Sequence, residues 1–87
     1  MTVHKYILTV DETALLAMPA GAKPLCVAAQ GRDLCLWALV DPAKTKIKRA
    51  FRLVGTGHDA PSTGYVGTAL MQGGALAWHV FDEGEQK

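Results

Sequence analysis

The sequence predicts an all-β fold, a small antiparallel sandwich or barrel of about seven short strands. Three observations carry this. Short apolar, β-branched or aromatic segments recur at about eight- to twelve-residue spacing with turn residues between them. No stretch keeps the apolar period of a helix. Gly31-Arg32, Asp41-Pro42 and Gly73-Gly74 each have the chemistry of a tight return between strands. At 87 residues the chain is one domain, residues 1–87. A domain of this size buries roughly 60–65% of the surface its unfolded form exposes.

The elements follow in order. Val3 to Val10 (VHKYILTV) is the first strand, ended by Asp11-Glu12. Ala14 to Met18 is a second apolar segment stopped by Pro19, and Pro19 to Lys23 turns with Gly21 available for positive φ. A third strand runs from Pro24 or Leu25 to Gln30. Gly31-Arg32 suits a type II′ hairpin, and pairing Gln30 with Asp33 puts Cys26 opposite Trp37, not opposite Cys35. Leu34 to Asp41 (LCLWALVD) holds seven apolar residues in a row. Leu34, Leu36, Ala38 and Val40 point one way and Cys35, Trp37 and Leu39 the other, so both faces want cover.

Asp41-Pro42-Ala43-Lys44 fits a type I turn into a fifth strand, Ile47 to Val54, where Ile47, Phe51 and Leu53 share a face with Arg49. Gly55 to Gly64 is the one long irregular loop. Tyr65 to Met71 and Ala75 to Phe81 are the last two strands, joined through Gly73-Gly74. That hairpin places Thr68 opposite His79 and brings Trp78 near Gly67, whose missing side chain leaves room for an indole.

Composition narrows the function. Apolar residues make up 49% of the chain, which excludes a disordered acidic tail. A net charge of +1 gives no global attraction to nucleic acid or an anionic membrane. Cations cluster locally at Lys44, Lys46, Lys48, Arg49 and Arg52, and acids at Asp82, Glu83 and Glu85. Cys26 and Cys35 show no CxxC spacing and no secretory leader precedes them, so free thiols in a cytoplasmic protein are expected. No apolar run approaches the ~20 residues of a membrane span. The two strands that are apolar on both faces predict a homo-oligomer, a dimer or trimer.

Candidate site residues gather around Gly55 to His58 (GTGH). Glycines on either side of Thr56 permit a nest of backbone N–H groups that holds an anion, with His58, Arg49 or Arg52 adding charge. The plainer reading is a glycine-rich strand exit. Arg49, among apolar neighbours, requires a carboxylate or a ligand anion, or else lies along the sheet with its head in water. Trp78 and Trp37 are core residues or stacking surfaces. His79 bonds Thr68 or joins a site. The ligand-binding set is thus Arg49, Arg52, Thr56, His58, Trp78 and His79, with no cofactor. His4, His58 and His79 lack metal-ligand spacing, so no metal is expected. No acid, base or nucleophile is held in register, which predicts a protein that is not an enzyme; a small phosphoesterase using His58 and His79 is the alternative.

His4-Lys5-Tyr6, Met18 to Lys23 (MPAGAK), Leu36 to Pro42 (LWALVDP), GTGH, Gly67-Thr68 and Ala77 to Phe81 (AWHVF) form an ordered frame over residues 4–81. In that frame the chain resembles a family of small uncharacterised phage and prophage proteins. One departure is Asp59-Ala60, where the pattern has a proline. The resemblance implies a phage-encoded accessory protein acting in the cytoplasm of an infected bacterial host against its defences. Two binding functions compete: capture of a small anionic, nucleotide-type ligand in pockets between subunits, or inhibition of a host defence protein in the manner of an anti-CRISPR.

Overall fold

A computed structural model describes residues 1–86 of the chain. Seven strands form two antiparallel sheets, and a single 3₁₀ turn interrupts them. The strands are β1 (Thr2–Leu8), β2 (Thr13–Pro19), β3 (Lys23–Gln30), β4 (Asp33–Val40), β5 (Lys46–Gly55), β6 (Tyr65–Met71) and β7 (Leu76–Glu85). One sheet has the order β1-β4-β3 and the other β2-β5-β7-β6. Together they make the sandwich that strand alternation predicts.

β4 is the centre of the smaller sheet for the reason its sequence gives. Leu34, Leu36, Ala38 and Val40 are all buried against the other sheet. On the opposite face Cys35 is buried between Ile7 and Ala28 of the neighbouring strands, while Trp37 and Leu39 are half-buried. Phe51 and Val80 complete the interior from the larger sheet, with Leu8 and Met18 closing its ends. Gly67 lets the sheets approach. A Cβ there would sit 3.0 Å from Val27 Cγ2, so the gap expected to receive an indole is filled by Val27, and Trp78 lies opposite Ala69.

The turns hold their expected geometry at two places. Lys44 N–H bonds the Asp41 carbonyl at 3.0 Å, and Ala43 N–H bonds Asp41 Oδ1 at 3.1 Å. Gln30 pairs with Asp33 and Cys26 with Trp37, and both cysteines are free. The β6–β7 return closes around Gly73-Gly74, with Ala75 N–H bonding the Gln72 carbonyl at 3.2 Å, and Gln72 also takes positive φ (53°) ahead of the two glycines.

Two strand boundaries differ from expectation by more than one residue. β1 stops at Leu8 rather than Val10. β7 continues past Phe81 to Glu85, because a bulge between Ala50 and Phe51 inserts Glu83 and lets Gly84 pair with Ala50 at φ 92°. The bulge turns Asp82 and Glu85 to the same side, toward Arg49. Arg49 Nε and Nη2 donate to the two Asp82 carboxylate oxygens at 3.0 and 2.6 Å, and Nη1 donates to the Ala22 carbonyl at 2.6 Å. Glu85 accepts the Gly21 N–H at 2.7 Å. Burial opposes the Asp82 charge, but the Arg49 bonds, the Gly84 N–H and the Arg49 charge outweigh it, and its pKa falls below the ordinary carboxylate value. The Asp82 hydrogen bond raises the pKa of Arg49. This knot pins the Pro19 to Lys23 turn to the end of the larger sheet.

Candidate functional site

Where β5 outruns β2, a groove opens. β2 pairs with β5 only as far as Arg52, and one further bond, Leu53 N–H to the Glu12 carbonyl at 3.1 Å, ends the ladder. Beyond it Val54 and Gly55 stay paired with His79 and Trp78 of β7 but have no strand on the β2 side. The space is about 550 Å³, bounded by Val10, Asp11 and Glu12 on one side and Gly55, His58 and Asp59 on the other, with Trp78 and Arg52 in its lining. Its size falls in the range of small-ligand sites. A second, shallower hollow of about 360 Å³ shares Gly55, His58 and Trp78 and adds Thr56 and the Gly74 to Ala77 hairpin.

The GTGH segment is a turn and not a nest. His58 N–H donates to the Gly55 carbonyl at 3.2 Å, and Gly57 has φ 92°, the arrangement of a type II turn. The His58 donor is thereby used internally, which removes it from any anion cradle. The turn does something else for the site: it folds the imidazole back over Gly55, where a Cβ would meet His58 Cδ2 at 3.5 Å. That is an ordinary van der Waals distance, so the ring packs beside Gly55 without depending on the missing side chain.

Arg52 is the most ligand-ready charge. Its Nη2 reaches Glu12 Oε1 at 3.4 Å, a long contact to a carboxylate that is 80% exposed. Its Nε is buried and has no partner among the described residues. A buried donor without an acceptor costs free energy.

His79 takes part in a different array. Alternation along β7 turns Trp78 and His79 to opposite faces. His79 Nδ1 is 2.8 Å from Thr68 Oγ1, as the hairpin register predicts, and Nε2 is 2.7 Å from Thr56 Oγ1. Tyr65 Oη continues the chain to Thr68 at 2.6 Å, and its ring meets Phe81 edge-on with centroids 5.6 Å apart. Both imidazole nitrogens are satisfied by hydroxyls.

The structure therefore brings Arg52, His58 and Trp78 to one groove, sets Thr56 and His79 beside it as a hydrogen-bonded pair, and leaves Arg49 apart. Of the partners open to Arg49 the structure supplies a carboxylate, Asp82, so its charge is taken up within the fold rather than offered to a ligand. Asp11, Glu12 and Asp59 are groove residues that sequence reasoning passed over; Asp11-Glu12 was legible only as a turn. Among the described residues no group of His, Cys, Asp and Glu is placed to hold a metal ion, and no helix is long and apolar enough to cross a membrane.

A family model described as "Domain of unknown function (DUF7352)" matches residues 1–87. No curated protein and no solved structure matches the chain.

Proposed function

The chain thus belongs to the DUF7352 family, and from that premise and the groove we propose that it is a phage-encoded accessory protein that counters host defence by capturing a small anionic, nucleotide-type ligand. The observation that carries this reading is the convergence of Arg52, His58 and Trp78 on one groove, with Arg52 Nε buried and unpartnered. A guanidinium bonds a phosphate oxygen, an imidazole adds a second donor and an indole stacks a base. The acids at the rim, Asp11, Glu12 and Asp59, suit the amino groups of a nucleobase better than a second phosphate. The phage origin and cytoplasmic setting rest on the sequence frame described above. The protein acts as an oligomer, in which a neighbouring subunit covers the open side of the groove.

Binding without turnover fits the site better than a phosphoesterase. His58 faces the groove while His79 is held between Thr56 and Thr68 on the other face, so the two histidines do not act on one substrate. The test is to incubate the purified protein with lysate of an infected, defence-carrying host, wash it, denature it and identify what is released by mass spectrometry. A nucleotide released from the wild type and absent from Arg52→Ala and Trp78→Leu supports capture. Turnover of a panel of cyclic and linear nucleotides, lost in His58→Ala, overturns the non-enzymatic reading.

One observation favours the second function, a protein inhibitor. The outer face of the smaller sheet shows Val3 and Ile7 exposed beside half-buried Trp37 and Leu39, an apolar surface of the kind that covers a partner. A stoichiometric host polypeptide with no released small molecule moves the function to inhibition.

A further inference from the structure

Four strands of the sandwich are edges, and their sequences protect them unequally. β1 carries Lys5 at its middle. β3 begins Lys23-Pro24 and is bulged between Pro24 and Cys26. β6 is bulged between Tyr65 and Gly67 and lies against β3 through the Gly67–Val27 approach. β2 (TALLAMP) has no charged residue and no bulge, and its proline is its last residue.

The ladder shows which of its backbone groups are free. Leu53 N–H bonds Glu12 and Ala20 N–H bonds Thr45, so Glu12–Leu53 and Ala20–Thr45 are hydrogen-bonded pairs of an unbroken register. Bonded pairs alternate, so Ala14, Leu16 and Met18 bond toward β5. The N–H and C=O groups of Thr13, Leu15 and Ala17 then point away from the sheet. Around them lies unfinished apolar surface. Leu15 is 55% exposed, and Leu16, though it packs on the core, is only half-buried because the sandwich is open on this side.

We propose that β2 pairs edge to edge with β2 of a second copy of this chain, antiparallel and centred on Leu15, so that two four-stranded sheets become one continuous sheet. The segment is self-complementary in this register. Thr13 meets Ala17 of the partner, Leu15 meets Leu15, and Ala17 meets Thr13, each pair exchanging both of its backbone bonds. No like charges meet, since β2 has none. The two Leu15 side chains become direct cross-strand neighbours, and the half-exposed Leu16 of each copy gains cover. A two-fold of this kind is closed and leaves no further edge of the same strand for a third copy.

The pairing specifies the oligomer of the functional reading above but needs no ligand, so it is tested on ligand-free protein and stands or falls apart from capture. Light scattering coupled to size exclusion should give twice the 9.3 kDa chain mass at micromolar concentration. Ala17→Pro removes only an outward N–H, a substitution that edge strands tolerate, and should give a monomer whose circular dichroism and melting match a folded domain. Amide hydrogen exchange of the wild type provides a readout free of mutation: Thr13, Leu15 and Ala17 should be protected at concentrations where the dimer forms and exchange rapidly on dilution. A monomeric wild type, a dimer that survives Ala17→Pro, or fast exchange at these amides in the dimer overturns the proposal.

Discussion

Removing the Asp82 carboxylate is the sharpest test of what holds the larger sheet to the Pro19 to Lys23 turn. In Asp82→Ala the Arg49 guanidinium loses two charge-assisted bonds and keeps the Ala22 carbonyl and a 4.0 Å approach to Glu85. Breaking one side of a fully buried ion pair costs about 3–5 kcal/mol, and a bond to a charged group contributes about 1.5–3. The two side chains are 15% and 17% exposed, so water screens part of the loss and about 3 kcal/mol is expected. At about 4–8 °C per kcal/mol for a domain of this size, melting falls by roughly 12–24 °C. Urea and thermal unfolding by circular dichroism measure it. The double variant Arg49→Met/Asp82→Leu should recover most of the loss, because it removes the stranded charge as well as the pair. The pH dependence has a fixed sign. Folding lowers the Asp82 pKa, so its contribution is complete above the ordinary carboxylate value, about 4, and is lost as pH falls below it through the folded value. Asp82→Ala should flatten that acid limb. A loss under about 1 kcal/mol with an unchanged acid limb would refute the reasoning.

Gly64→Ala should prevent stable folding, at a cost above about 3 kcal/mol, because Gly64 has φ 87° and a Cβ there collides with the Asp82 carbonyl; loss of cooperative urea unfolding reads it out. Gln72→Gly should stabilise the chain by about 0.5–1 kcal/mol by relieving φ 53° at a residue with a side chain, seen as a raised urea midpoint with the same slope. Arg52→Met should leave stability within about 0.5 kcal/mol of wild type, since it removes an orphaned buried donor together with only a long, exposed ion pair, while abolishing ligand release in the capture experiment.

The strands and their turns were legible because their signals are local. Alternation, β-branching and turn chemistry placed all seven, and the Gly31-Arg32 and Gly73-Gly74 returns also gave the registers Cys26–Trp37 and Thr68–His79. The bulge at Ala50 was not legible. Asp82 and Glu85 read as a solvated acidic end because strict alternation puts residues three apart on opposite faces, and only the extra residue aims both at Arg49. That Arg49 called for a carboxylate or a ligand anion was visible; that Asp82 fills the role was not. The site was legible in kind more than in arrangement. Arg52, His58 and Trp78 share a groove because β2 ends before β5 does, and a difference in strand length between distant segments leaves no mark in either sequence.

The position of β7 has a consequence for how the chain is made. It lies between β5 and β6, yet it follows both in sequence. While a ribosome is still translating the stretch up to Met71, β6 has no hydrogen-bonding partner and β5 is paired on one side only. Elongation at about 5–20 residues per second keeps that interval short. During it the apolar residues of β5 and β6 wait for a strand that does not yet exist, and a stalled or prematurely ended message releases a chain whose larger sheet has no middle. Such a product is a substrate for proteases and chaperones, and the cell's supply of folded protein depends on translation reaching Glu85.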